Sequence, residues 1–151
     1  MLQDSTGADR LTLVSVRISL ATFLERHGRP DEAETILKDN VELYEALLSG
    51  STAMLAEPHL ALARFYEARG DLGSAVDEYR TALSLLSEEE PSFYASTLED
   101  YAGLLSRMRR EEDSRMARDE AYRIRTKYAA EIEEGRRRHN ITQDPAPRSL
   151  R

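Results

Sequence analysis

Leu20-Ala21-Thr22-Phe23-Leu24-Glu25-Arg26-His27-Gly28-Arg29-Pro30-Asp31-Glu32-Ala33-Glu34-Thr35-Ile36-Leu37-Lys38 aligns without a gap with Leu62-Ala63-Arg64-Phe65-Tyr66-Glu67-Ala68-Arg69-Gly70-Asp71-Leu72-Gly73-Ser74-Ala75-Val76-Asp77-Glu78-Tyr79-Arg80, at an offset of 42 residues. Self-similarity at such a period signals stacked supersecondary units, each burying its apolar face on the next. Gly28 can adopt the left-handed backbone that ends a helix, Pro30 suits the first turn of a new one, and Asp31 and Glu32 favour its positive end. In the second copy Arg69-Gly70 supplies the stop and Asp71 a candidate N-cap.

Outward from these turns, apolar residues recur at three-and-four spacing, the mark of amphipathic helices. Leu13, Val16, Leu20, Phe23 and Leu24 form one stripe, and Ala33, Ile36, Leu37, Val41, Tyr44 and Leu48 the next. Leu55, Leu62, Phe65 and Tyr66 precede the second turn; Ala75, Val76, Tyr79, Ala82, Leu83 and Leu86 follow it. A third hairpin is expected from Phe93, Leu98, Tyr101, Ala102, Leu104 and Leu105 through Met108 to Glu112 into Ala117, Ala121, Ile124, Tyr128 and Ile132. No alternating strand pattern occurs, so the expected class is all-α. Ala21, Ala63 and Ala102, with Ala33 and Ala75, recur where paired helices must approach closely. The aromatics read as core, with Tyr44 and Tyr94 as exceptions beside stripes already full.

The second unit, Leu62, Ala63, Tyr66, Gly70, Asp71, Ala75, Tyr79, Ala82 and Leu83, closely resembles the tetratricopeptide repeat, whose usual period is 34 residues. The 42-residue spacing is similar to the long-period variant of kinesin light chains and many bacterial repeat proteins. The resemblance covers about residues 11 to 127. It implies a right-handed superhelical solenoid of three helical hairpins, six helices in all. The units are expected at about 11–50, 51–90 and 91–137, between a flexible N-terminus at 1–10 and a disordered basic tail at 138–151. Departures are visible. Asn40 stands where the second unit has Ala82, Arg109 replaces the turn glycine of the third unit, Ser114 replaces its alanine, and Pro58 makes the third helix either start near Glu57 or kink.

Composition narrows the function. At 151 residues the chain is one domain that buries roughly 70% of its unfolded surface. It has no cysteine, and His27, His59 and His139 are too scattered for a ligand cluster, so no metal or other cofactor is expected. No glycine-rich phosphate loop or nucleophile elbow occurs, and the expectation is that the chain is not an enzyme. The Glu88-Glu89-Glu90 run reads as a solvated loop. No leader-like N-terminus or membrane-spanning apolar run is present, which makes a cytoplasmic protein the default. An arginine to lysine ratio of 19 to 2 is the composition expected of a GC-rich, bacterial genome.

Net charge is −7, divided unevenly: residues 1–103 carry 8 basic and 19 acidic side chains, and residues 104–151 carry 13 and 9. An acidic body argues against gripping nucleic acid, and Arg136-Arg137-Arg138 is too short a tract to reverse that.

The resemblance implies a concave groove, lined by the first helix of each hairpin, that holds a peptide or a partner helix. Carried onto this chain, that face selects Ser15, Ile18, Thr22, Glu25 and Arg26; then Glu57, Leu60, Ala61, Arg64 and Glu67; then Ser96, Glu99, Asp100, Gly103 and Arg107. The lysines and asparagines with which chaperone-binding members hold a terminal carboxylate are missing. Arg26, Arg64 and Arg107 form either a ladder for an acidic peptide or ordinary pairs with neighbouring glutamates. The expected function is a protein-binding scaffold. The alternative is a structural subunit that stacks on itself as a homo-oligomer, or on further repeats of a larger protein, through an uncapped first hairpin.

Overall fold

The computed structural model describes residues 4–47, 52–86 and 90–143. Leu48, Glu88, Glu89 and the tail beyond Gln143 lie outside the described residues. Six helices follow one another: α1 Asp4–Arg26, α2 Pro30–Leu47, α3 Thr52–Arg69, α4 Leu72–Leu85, α5 Pro91–Arg107 and α6 Glu111–Gln143. They pair as hairpins α1–α2, α3–α4 and α5–α6, and α2–α3 and α4–α5 contacts join the hairpins in sequence order. The result is a solenoid of three hairpins, and no described helix is long and apolar enough to cross a membrane.

One turn is used three times. Gly28 and Gly70 have φ of 75° and 79°, and Arg109 holds φ of 60° at the corresponding place. In each, the next residue donates its N–H five residues back: Arg29 to Leu24, Asp71 to Tyr66 and Arg110 to Leu105, all at 2.9 Å. This bond satisfies carbonyls left open at the helix end and sets the hairpin's angle. Arginine in the third turn thus leaves its geometry intact and carries the left-handed cost itself, roughly 1–2 kcal/mol. On the far side of the second turn, Asp71 caps α4 through the N–H of Ser74 at 3.2 Å.

Small side chains occupy the contact line. Ala21, Ala33, Ala63, Ala75 and Ala102 are all essentially inaccessible, as is Ser114, whose hydroxyl donates to the carbonyl of Ala102 at 2.8 Å. Ser114 therefore serves the third hairpin as alanine serves the others, with its polar atom satisfied. Three apolar clusters flank this line. One joins α1, α2 and α3 through Ala21, Leu24, Ala33, Leu37, Leu62 and Phe65. The next joins α3, α4 and α5 around Tyr79, Leu60, Leu104 and Leu105, and the last joins α5 and α6.

Several elements depart from the expectations. Residues 4–10 belong to α1, where a flexible lead was expected, and no proline interrupts them. α3 starts at Thr52 and runs through buried Pro58, so of the two expectations the start near Glu57 fails and the proline lies within the helix. α6 passes the expected boundary at 137, supported by Glu133–Arg137 and Glu134–Arg138 pairs four residues apart. Only residues 144–151 of the expected tail remain undescribed. Asn40 is fully buried; its amide donates to the Val14 carbonyl at 3.3 Å while its Oδ1 has no partner. Tyr44 is core, against expectation, because it fills the end of α2, and Tyr94 packs between the second and third clusters. Conversely, Leu13, Val16, Leu20 and Phe23 are exposed, and Val14, Ala21 and Leu24 form the inward face of α1.

Two stability outcomes follow. Ala63→Leu should overpack the α3–α4 line and cost about 1–3 kcal/mol, read as a lowered thermal midpoint by circular dichroism. Arg109→Gly should relieve the left-handed arginine and raise stability by about 1 kcal/mol in urea titration, since this exposed side chain gives up little on removal.

Candidate protein-binding groove

α1, α3 and α5 present one shared face, and two recesses open on it. The first, about 280 Å³, is bounded by Ile18, Ala21, Thr22 and Glu25 of α1, Leu37 of α2, and Ala61, Arg64 and Phe65 of α3. Its floor is apolar because it sits directly on the cluster that joins the first two hairpins. The second, about 390 Å³, is bounded by Arg64 and Glu67 of α3, Tyr79 of α4, and Glu99, Asp100, Gly103 and Arg107 of α5. Arg64 borders both, so the apolar slot and the charged bowl adjoin on this face.

Electrostatics in the bowl are organised between repeats. Arg64 of α3 pairs with Asp100 of α5 at 3.1 Å, and Arg107 of α5 pairs back with Glu67 of α3. Glu99 is held by Arg125 of α6 at 2.8 Å. Beneath them Tyr79 reaches through from the second helix layer and donates its hydroxyl to Glu67 at 3.3 Å. Burial, then the neighbouring Glu67 and Asp100 carboxylates, push the Tyr79 phenol up to about 12, so it stays a neutral donor. Two of the three arginines in the suggested ladder are thus engaged by carboxylates of the adjoining repeat. These pairs are largely exposed, and such pairs are worth about 0–1 kcal/mol, little enough for a ligand's charged groups to exchange into them.

The expected groove residues divide clearly. Ile18, Thr22, Glu25, Ala61, Arg64, Glu67, Glu99, Asp100, Gly103 and Arg107 border the two recesses. Ser15, Arg26, Glu57 and Ser96 lie exposed on the same helices outside them. Leu60 is a core residue packed with Ala56, Ala63 and Tyr79, because its position turns inward at the middle of α3. Phe65, Leu37 and Tyr79 belong to the apolar stripes of the sequence, yet they also line the recesses. The usable signal was Tyr79's hydroxyl, which a buried tyrosine must satisfy somewhere.

The family model for the tetratricopeptide repeat matches residues 12–88, just over half of the chain and coincident with the first two hairpins. No curated protein matches the chain. Repeats of this kind generally mediate protein–protein interaction. With three hairpins built on one repeated turn and a match that spans two of them, this chain belongs to the tetratricopeptide repeat family.

Proposed function

We propose that the chain is a non-catalytic scaffold that holds a peptide segment or a partner helix along the shared face of α1, α3 and α5. The observation that carries this reading is the placement of an apolar slot beside a charged bowl, with Arg64 at the border of both. A segment that fits places an apolar side chain on Ala61, Ile18 and Phe65, then charged groups of either sign against the Arg64–Asp100 and Arg107–Glu67 pairs. The apolar contact supplies affinity, and exchange of the exposed pairs supplies register. An acidic segment would engage the arginines and release their carboxylates, which is the ladder reading in its remaining form. Self-association, the other reading the sequence admits, uses a different surface at the α1 end of the stack.

Peptides selected by display against the full chain should compete with one another for a single site. Ile18→Asp should weaken them at least about tenfold by placing charge in the slot, and Arg64→Glu should reorder their preferences by charge. Selected peptides indifferent to both substitutions, with nuclear magnetic resonance shifts confined to α2, α4 and α6, would show that the site lies elsewhere.

A further inference from the structure

The first helices of the second and third hairpins are each covered by the hairpin before them. Leu62 and Phe65 of α3 are 3% exposed beneath α1 and α2, and Pro58 is fully buried. The residues 42 positions earlier are Leu20, Phe23 and Val16, which are 45%, 54% and 58% exposed. α1 thus carries, bare, the surface that a helical hairpin covers one repeat later.

Leu13, Val16, Leu20 and Phe23 are spaced three, four and three, the a and d positions of a two-helix seam. His27 continues the spacing and stacks on Phe23 with ring centroids 3.9 Å apart. Between residues 11 and 24 the one charged side chain is Arg17, which pairs with Asp39 of α2, in a chain that is 32% charged. A ridge so poor in cations does not suit nucleic acid or an anionic membrane surface, which both bind through clustered Lys and Arg. It suits an apolar helix.

The opposite end of the stack identifies the partner. α4 meets α5 through Tyr79 and Leu86, both buried. Counted 39 residues on, as Gly70 is to Arg109, α6 has Arg118 and Arg125 at those positions, with Arg125 engaged by Glu99, and exposed Tyr122 at the position of Leu83, which also packs on the third hairpin. Head-to-tail stacking would seat two arginines beside Tyr122 on the α1 ridge, a poorer match for it than an all-apolar surface. The ridge is complementary to itself. We propose that two copies of this chain pair through their α1 ridges in a closed, two-fold dimer, with Leu13, Val16, Leu20 and Phe23 of each copy interdigitated. Helical periodicity puts this ridge on the opposite flank of α1 from Ile18 and Thr22, so both recesses stay open in the dimer.

An interface of one helix per copy lies near the lower end of specific interface sizes, so association is expected in the micromolar range. Sedimentation equilibrium of the full chain from about 1 to about 300 μM should show the mass double, with a dissociation constant on the order of 10 μM. Leu20→Glu with Phe23→Glu should weaken the dimer by more than about 100-fold while keeping the helical circular dichroism, because both side chains are exposed in one copy. Val16→Arg gives an independent disruption should the double variant misfold. Tyr122→Glu, on the exposed surface of α6, should dimerise as the parent does. A parent that stays monomeric throughout, a dimer that survives the ridge variants, or one that Tyr122→Glu abolishes would overturn the proposal. Peptide binding at the groove by the ridge variants reports separately on that site.

Discussion

The close approach of paired helices at Ala21 and Ala33, Ala63 and Ala75, and Ala102 and Ser114 is the constraint on which the rest depends. Without bulk at these positions each hairpin closes tightly, and the larger side chains on either flank are left to join one hairpin to the next. Phe65, Leu37, Tyr79 and Leu104 do that joining. The recesses on the α1, α3 and α5 face are a by-product. They are the clefts that remain where neighbouring first helices, separated by their second helices, do not fully meet.

Polar groups mark where this scheme is adjusted. Ser114 repays its hydroxyl with a bond to Ala102, so the third hairpin loses nothing. Asn40 is less complete: its amide ties α2 to the Val14 carbonyl, and its unpartnered oxygen carries a penalty of about 1–3 kcal/mol. Because Asn40 sits between α1 and α2, that penalty falls on the first hairpin, whose outer face is also left uncovered. In the third turn, the same N–H to carbonyl bond is made with arginine as with glycine, which shows that hairpin packing outweighs local backbone preference there.

Much of this was legible in the chain itself. Gly28, Gly70 and the alanine positions specify turn and contact line directly, because few other residue types fit a left-handed backbone or a close helix crossing. The inward face of α1 was not legible from periodicity. Leu13, Val16, Leu20 and Phe23 make a larger apolar stripe than Val14, Ala21 and Leu24, and hydropathy ranks size above position. Register against the second copy would have resolved it, since Leu62 and Phe65 serve an inter-hairpin contact. For the groove, the side of each first helix followed from the repeat, whereas the depth of Leu60 and the mutual pairing of Arg64, Asp100, Glu67 and Arg107 depend on how far α3 and α5 approach. No single-helix pattern contains that distance.

α6 has 33 residues against 17 in its partner α5, and Pro91 at the start of α5 meets it near Ile124, Tyr128 and Glu131. Residues 132–139 are exposed, and their supports include backbone bonds and the Glu133–Arg137 and Glu134–Arg138 pairs. Their amide protons therefore trade with solvent at rates set by the coil equilibrium of a lone short helix. Those beneath Ala117 and Ala121 wait for the whole stack to open, so one continuous helix spans two regimes of hydrogen exchange.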